Sequence, residues 1–219
     1  SWGSEVLVAS TTMEGDGTGF VATWDSNINR VVIHYRDKDN SDKGTVQLIE
    51  VASNNTITVG SQHIFNNDRT TYIASAFDSS QNKHFVFFGS GNSDLARYRF
   101  ASISTSSFNY SSQFDTSQGN GDSVADGDAT FDSDNNRIIY AYRNASNNDG
   151  YVRVFTISGN TVTINARETF NTQTPQNIRV AYNRDKEAVV VAFNAGSDQD
   201  KGKVRSATYN TAKTAFTSW

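Results

Sequence analysis

Cysteine is absent from this chain of 219 residues, and proline occurs only once, at position 175. Without cysteine the chain has no disulfide framework, no thiolate metal site and no cysteine nucleophile. Its stability must therefore come from side-chain packing and from strand pairing. The absence excludes the disulfide-rich class of secreted domains but leaves the cellular compartment open.

Excess basic charge and long apolar runs are also lacking. The chain has 19 Lys and Arg against 23 Asp and Glu, a net charge of −4, and its isoelectric point is near 5.3. Nucleic-acid binding needs a basic stripe that neutralises phosphates, so we predict no nucleic-acid partner. No apolar run reaches the roughly 20 residues of a membrane helix, so we predict no membrane insertion. No signal peptide is recognisable, and we expect any export signal to have been removed or to lie elsewhere in a longer parent chain.

The chain does contain a phrase that repeats four times. It consists of an aromatic residue, an Asp or Asn, a short polar turn, and a run of β-branched and aromatic residues. The Asp or Asn stands at positions 25, 78, 132 and 183, so the copies are 53, 54 and 51 residues apart. A period of this length filled with strand-like segments is typical of the blades of a β-propeller.

Each period divides into strand-like segments separated by clusters of Asn, Asp, Ser and Gly. The pattern predicts a single all-β domain, a four-bladed β-propeller with four-stranded antiparallel blades. The predicted blades are residues 19–66, 72–115, 126–171 and 178–219, the last completed by residues 1–9. Because the fourth period lacks most of its outer strand, we expect the N-terminal strand to replace it and to close the ring. A β-sandwich of many short strands is the alternative.

Two columns of aromatic residues recur at equivalent positions. They end the first and second strands of each period: Trp24, Phe77, Phe131 and Tyr182, and then Tyr35, Phe88, Tyr142 and Phe193. Each such ring buries on the order of 150–250 Å², so we predict that both columns pack blade against blade. A stacking site for sugar rings at Trp24 and Tyr35 is the alternative.

The Asp that follows the first aromatic has two interpretations. Asp132, Asp134 and Asn136 have the alternate-oxygen spacing of calcium loops, so these three are candidate ligands and calcium is the one candidate cofactor. Calcium loops of this kind have Gly at the sixth position, where the four copies have Arg, Lys or Ala. A cation beside the metal would oppose binding. The favoured interpretation is therefore an Asx turn that closes a tight hairpin.

The loops between the second and third strands vary most and are rich in carboxylates. Strand alternation sends them to one propeller face, where we predict ligand binding. The candidate residues are Arg36, Asp37, Asp39, Asp42, Asp94, Arg143, Asn144, Asp149, Asp198 and Asp200. They offer hydrogen bonds to sugar hydroxyls or to a polar protein surface, and solvated loop chemistry is the alternative for each. On the first strands, Asp128 and Arg179 occupy equivalent positions of neighbouring blades and are expected to form a structural ion pair.

The segment Val31–Asp37 and the Asn40–Thr45 segment that follows it resemble the tandem repeats of marine phage tail fibres and bacterial surface adhesins. The third copy keeps the pattern at Ala141–Asn144, whereas the second and fourth depart from it. This resemblance implies an extracellular or virion-surface recognition module, joined to other parts of a longer parent chain. Its implied partner is a glycan or a cell-surface receptor.

The sequence has no recognisable catalytic signature. Asp42–Thr45 and Asp200–Gly202 resemble fragments of the sialidase Asp-box, but the leading Ser is misplaced and the closing Thr-Trp is absent. We therefore predict no enzyme and no catalytic residue, but a noncatalytic module of a phage fibre or cell-surface protein that binds glycan or receptor through loops. The alternatives are a structural spacer or oligomerisation propeller, and a glycoside-acting enzyme whose two carboxylates meet only in space.

Overall fold

The computed structural model describes residues 3–9, 12, 19–196, 201–217 and 219. In this part of the chain the regular structure consists of strands, together with two one-turn 3-10 helices, Lys38–Asn40 and Arg184–Lys186. In chain order the strands are β1 (Phe20–Asp25), β2 (Arg30–Asp37), β3 (Lys43–Val51), β4 (Ile57–Val59), β5 (His63–Asp78), β6 (Lys83–Ser90), β7 (Leu95–Ile103), β8 (Phe108–Tyr110), β9 (Phe114–Asp115), β10 (Val124–Asp132), β11 (Arg137–Asn144), β12 (Gly150–Ser158), β13 (Thr161–Ile164), β14 (Glu168–Asn171), β15 (Pro175–Asn183), β16 (Ala188–Ala195) and β17 (Lys201–Thr208).

Strand pairing is antiparallel and follows the four periods of the sequence. We call the resulting groups the first to fourth units, built on β1–β2–β3, β5–β6–β7, β10–β11–β12 and β15–β16–β17. In each of the first three units, two short segments pair with the third strand at its outer edge. In the described part of the fourth unit, β17 is followed only by a bridge between Tyr209 and Phe216. The predicted all-β fold with antiparallel sheets is confirmed.

Strand β5 belongs to two units at once. The start of this 16-residue strand pairs with β3, and residues 70–78 pair with β6. The first two units therefore share one nine-stranded sheet, whereas the third and fourth form sheets of five and three strands.

Apolar clusters fill the space between successive units. Between the second and third, the rings of Phe87 and Tyr140 stack in parallel with their centroids 4.3 Å apart. The aromatic column of the second strands is buried in all four units, as predicted: Tyr35, Phe88, Tyr142 and Phe193. In the other column Phe77 is buried, whereas the Trp24 side chain is 54% exposed. Packing between units is thus confirmed, with Trp24 as the exception.

The predicted closure by the N-terminus is wrong. Residues 3–9 form no strand, and Val8 and Ala9 pack on an apolar cluster of the first unit that contains Tyr35. A Cβ atom at Gly3 would lie 2.9 Å from the Asn55 carbonyl oxygen, which also belongs to the first unit. The segment covers an apolar face there, whereas β17 is mostly exposed and carries Lys and Arg side chains. The described sheets do not close into a ring, so the predicted count of four closed blades is not shown.

The fourth unit leaves one face uncovered. One position of the third strand is buried in the first three units, with Val46, Tyr98 and Val152 only 0%, 2% and 1% exposed. Its equivalent in the fourth unit, Val204, is 67% exposed. The same strand position is thus a core position in three units and a surface position in the last. Across the described ranges, no helix is both long and apolar enough to cross a membrane.

Two buried histidines lie between the first and second units. His84 Nε2 lies 2.8 Å from the Asp25 carboxylate, and His34 Nε2 lies 2.8 Å from the Tyr110 hydroxyl. Burial, together with a smaller repulsion from His84, lowers the pKa of His34 to about 3. His34 is therefore neutral in the folded protein at neutral pH.

We expect Val152→Lys and Val204→Lys to have opposite outcomes although the positions are equivalent. An uncompensated charge at buried Val152 costs about 3–5 kcal/mol of unfolding free energy. At exposed Val204 the change stays within about 0.5 kcal/mol. Urea denaturation of both variants measures the difference, and similar losses in the two would contradict the described packing.

Folding stability should fall as the pH is lowered from about 6.5 toward 3. The unfolded chain protonates His34 near its ordinary pKa of 6.5, whereas the folded chain resists protonation until about pH 3. Each proton taken up only on unfolding contributes a slope of about 1.4 kcal/mol per pH unit. His34→Gln should flatten this slope in urea denaturation, and an unchanged slope in that variant would contradict the role of His34.

Candidate functional site

The predicted binding residues of the first unit form contacts within their own loop or with the segment that precedes β1. Arg36 Nε donates a hydrogen bond of 2.7 Å to Asp42 Oδ1, and this bond lowers the pKa of the Asp42 carboxyl. Asp37 accepts a bond from the backbone N–H of Asn40, which caps a 3-10 helix. Asp39 accepts one from the backbone N–H of Thr12.

The other predicted loop residues behave similarly. Asp94 pairs with Arg69 at 2.5 Å. Arg143 donates to the Asn148 side chain at 2.9 Å. Asn144 donates to Asp122 at 2.9 Å, and Asp149 accepts a bond from the Tyr151 hydroxyl. Asp198 and Asp200 lie outside the described residues. Each described residue bonds within its own unit or the segment leading into it, so ligand binding by this set stays a prediction.

The candidate calcium ligands close a hairpin. Asp132 is fully buried, and its Oδ1 accepts the backbone N–H groups of Asp134 and Asn135 at 3.0 and 3.1 Å. The Asp134 carboxylate pairs with Arg184 at 2.8 Å. Asn136 has a φ of 53°, as the left-handed position of a tight turn requires. The favoured Asx-turn interpretation is confirmed.

The same turn recurs in the first two units. Asp25 and Asp78 each accept two backbone N–H bonds from the residues two and three positions further on. Among the described residues, no three His, Cys, Asp or Glu side chains converge on one point. Calcium therefore stays a prediction, without a preformed carboxylate cluster to support it.

A cavity of about 240 Å³ lies where the first strands of all four units meet. Its lining residues come from β1, β5, β10 and β15: Phe20, Val21, Ala22, Tyr72, Ile73, Asp126, Gly127, Asp128 and Arg179. The wall is apolar on the side of the first unit and charged on the side of the third and fourth. This is the strongest candidate for a functional site, because it combines concave shape with titratable groups.

Strand geometry places the two carboxylates of the cavity on the same face of β10. Asp126 and Asp128 are two positions apart, and side chains two apart on a strand point the same way, about 7 Å from each other. Asp126 Oδ2 accepts the backbone N–H of Ile178 at 3.2 Å, and Asp128 Oδ2 accepts that of Val180 at 2.9 Å. Both side chains are thus tied to β15 of the next unit.

Burial raises the pKa of both carboxyl groups. For Asp126 burial is the largest influence, and the backbone bonds and Arg179 oppose it. For Asp128 burial again dominates, and the nearby charge of Asp126 raises its pKa further. Groups with pKa values raised in this way retain protons at higher pH than ordinary carboxylates. They are candidates for acid–base chemistry.

Gly127, between the two carboxylates, is held by a close contact with the core. A Cβ atom at this position would lie 3.0 Å from the ring and the hydroxyl of Tyr140 and from the Ala141 carbonyl oxygen. Tyr140 itself is stacked on Phe87 in the cluster between the second and third units. The cavity wall therefore rests directly on packed aromatic rings.

The predicted ion pair between Asp128 and Arg179 needs correction. Asp128 bonds to the backbone of β15, and Arg179 Nη1 donates a hydrogen bond of 2.6 Å to the carbonyl of Ile178. The two charges still influence each other electrostatically. Backbone N–H groups of β15 face the carboxylate and satisfy it, so a direct ion pair is not needed.

Sequence reasoning missed Asp126 and Tyr72 as lining residues. The available signal was a departure from the repeat, because Asp126–Asp128 reads Asp-Gly-Asp where the second unit has Tyr72–Ala74, Tyr-Ile-Ala. The irregular backbone of β5 and β10 also made these lining residues difficult to predict. The pairing of β10 shifts register between Val124 and Asp126, and Tyr72 has a φ of 50°.

No protein-family model matches the sequence, and the comparison with curated proteins returns no match. Among solved structures, the chain is similar to an exo-β-1,3-galactanase from Clostridium thermocellum. The TM-score is 0.62 at 11% identity, and the alignment covers 96% of this chain and 50% of the galactanase. Also similar are TolB from Acinetobacter baumannii, with a TM-score of 0.48, 11% identity and coverage of 90% and 42%, and a GH43 endo-arabinanase from Bacillus licheniformis, with 0.46, 10%, 89% and 74%.

These comparisons correct the predicted noncatalytic recognition module. The galactanase, whose fold matches nearly the whole of this chain, is a carbohydrate-acting enzyme, so an enzyme interpretation fits better than a noncatalytic module. The likeness to the galactanase gives no support to the predicted resemblance to phage fibres and adhesins. This chain spans half the length of the galactanase. At this low identity the likeness shows only that the fold is of the β-propeller type.

The Asx turn and the calcium site make different demands on Asp132. Asp132→Asn keeps the accepting oxygen and should cost less than about 1 kcal/mol, whereas Asp132→Ala leaves two backbone N–H groups without their acceptor and should cost about 1–3 kcal/mol. We expect millimolar calcium to leave the thermal midpoint of the wild type unchanged. A calcium-dependent rise that Asp134→Asn abolishes would instead establish the calcium loop.

Proposed function

We propose that this chain is a glycoside hydrolase whose active site is the cavity between the four units. The observation that carries the proposal is the pair of carboxyl groups, Asp126 and Asp128, with raised pKa values in one cavity. Most glycoside hydrolases use two carboxyl groups to catalyse hydrolysis of the glycosidic bond. The likeness of the fold to a galactanase supports the same reaction class.

Asp128 is the proposed general acid and Asp126 the proposed general base. The repulsion between the two carboxyl groups favours a state in which one member of the pair is protonated, and in this proposal that member is Asp128. It donates this proton to the glycosidic oxygen as the bond from the anomeric carbon to that oxygen breaks. Asp126 removes a proton from a water molecule, whose oxygen forms the new bond to the anomeric carbon. One water is consumed, and the proton on Asp126 returns through solvent to Asp128.

The spacing of the pair indicates the stereochemical outcome. Asp126 and Asp128 bond to backbone N–H groups that are two positions apart on β15, and positions two apart on a strand are about 7 Å from each other, so the carboxyl groups have a similar separation. Inverting glycosidases keep their two carboxyl groups about 6.5–9.5 Å apart, which leaves room for the attacking water, whereas retaining enzymes need about 5–5.5 Å. We therefore propose inversion at the anomeric carbon.

The remaining wall suits a sugar ring. Phe20, 42% exposed, and Tyr72 supply aromatic surface on the side opposite the charged residues, and Arg179 supplies hydrogen-bond donors. Pockets that combine apolar surface with a few polar groups are typical of small-ligand sites. The full proposal places the four units as propeller blades around this cavity. It also retains the predicted extracellular or virion-surface location, where an enzyme of this class meets polymeric glycans.

The proposal is tested by sugar release from a panel of galactosides, arabinosides and related oligosaccharides. Asp126→Asn and Asp128→Asn should each reduce kcat by about 10²–10⁴-fold, the usual contribution of general acid–base catalysis. Both variants should stay folded, because the amide oxygen still accepts the backbone N–H of β15. Asp185→Asn, in the exposed 3-10 helix Arg184–Lys186, is the matched control and should keep full activity.

Product configuration provides a second measurement. Proton NMR of the first-formed sugar should show the anomer opposite to that of the substrate. If the folded wild type releases no sugar from any member of the panel, or if the two Asn variants keep wild-type rates, the hydrolase proposal is wrong.

A further inference from the structure

Among the described residues that line the cavity, Arg179 is the only cation. It is exposed on β15, and its Nη1 donates to the Ile178 carbonyl oxygen at 2.6 Å. A guanidinium group has five N–H donors, so most of them are left for a ligand. Among the described residues Arg179 forms no ion pair, whereas Arg36 and Arg69 each have a carboxylate partner.

Packing does not explain an arginine at this position. The equivalent residues of the first and second units are Val21 and Ala74, and Ala74 is buried in the core. The third unit has Asp128 here, whose carboxylate is bonded to the backbone of β15. The fourth unit alone places a long cationic side chain at the cavity, in a strand position that a small apolar residue can fill.

The acidic groups of the cavity leave Arg179 available for an anion. Asp126 and Asp128 each use Oδ2 for a backbone N–H of β15, and they act on the guanidinium only from beyond ion-pair distance. A guanidinium binds a carboxylate through two parallel N–H···O bonds, which a neutral hydroxyl cannot reproduce. A ligand carboxylate therefore satisfies both the charge and the planar donor geometry of Arg179.

We infer that Arg179 selects uronic acid residues, so that the substrate class of the cavity is a glycan with carboxylated sugars. The inference rests on the proposed function, because it uses the same cavity. Arg179 binds the sugar carboxylate, and the glycosidic bond of that sugar lies within the same cavity as Asp126 and Asp128. The added negative charge also favours retention of the proton by the acidic pair.

The first experiment compares matched 4-nitrophenyl glycosides that differ only at C6, glucuronide with glucoside and galacturonide with galactoside, in both anomers. The wild type should hydrolyse at least one uronide with a kcat/KM at least tenfold above that of its neutral partner. Arg179→Gln should lower kcat/KM for the uronide at least tenfold, equivalent to about 1.4 kcal/mol, and change that for the neutral sugar less than about twofold. Arg179→Lys should retain part of the preference, because lysine keeps the positive charge but lacks the planar pair of N–H donors that a guanidinium group offers to a carboxylate.

Arg205→Gln is the matched control. Arg205 is an exposed arginine on β17 and does not line the cavity, so this variant should keep the uronide preference of the wild type.

The second experiment separates binding from turnover. Calorimetry with the Asp128→Asn variant should show galacturonate or glucuronate oligosaccharides binding at least tenfold more tightly than neutral ones, and the added Arg179→Gln substitution should remove this preference. Equal turnover of acidic and neutral substrates, or an equal fall of both in Arg179→Gln, overturns the inference and leaves the hydrolase proposal standing. Selective binding of uronides without turnover of any substrate supports the role of Arg179 and overturns the hydrolase. If uronides do not bind selectively and no substrate is hydrolysed, both the role of Arg179 and the hydrolase proposal are overturned.

Discussion

The packing of one sheet face against the next is the interaction on which the rest of this structure depends. Each unit has too few strands to bury its own apolar side chains, so its neighbours must cover them. The stacked rings of Phe87 and Tyr140 show how far this dependence reaches. Tyr140 packs in the core and also lies 3.0 Å from the position that a Cβ atom at Gly127 would occupy. The packing of the core therefore determines the position of this part of the cavity wall.

Most polar side chains of the described residues form hydrogen bonds that serve the fold. The loop carboxylates bond to backbone N–H groups or to arginines of their own unit, as Asp37 and Asp42 do. Such bonds order the loops and leave these side chains fewer acceptors for a partner. At the cavity Asp126 is buried and Asp128 half-buried, and each also accepts a backbone N–H. The difference is that burial raises both pKa values there and that the two groups line a concave surface together with Arg179.

The sequence determines the local parts of this structure most directly. The repeated Asp predicts the Asx turns because each turn is made within four residues, and the alternating apolar residues predict the antiparallel strands. The position of the N-terminal segment was not predictable in the same way. The missing outer strand of the fourth period indicated this segment as its replacement, but Val8 and Ala9 pack on a face built by Tyr35 and its neighbours, a contact that local pattern does not encode.

The cavity was also hidden from the sequence. Asp126, Asp128 and Arg179 are 50 or more residues from the lining residues of the first two units, and only the arrangement of the units brings them together. The candidate binding residues were selected from the variable loops, where side chains are exposed. The cavity residues instead differ in charge from the equivalent residues of the other copies. The equivalent first-strand positions of the first two copies hold Val21 and Ala74, so the charges of Asp128 and Arg179 were the available signal, but the sequence analysis interpreted them as a structural pair.

The continuous strand β5 links the first two units more firmly than the second and third units are linked. The start of this 16-residue strand is hydrogen-bonded to β3 and its end to β6, with irregular pairing around Tyr72. A protease, which must draw an extended segment into its cleft, has little access to a chain paired in this way. The turn around Gly119–Gly121, between the second and third units, has exposed backbone without strand pairing. Cleavage should therefore divide the chain near its middle, and the first two units should behave as one rigid half under load.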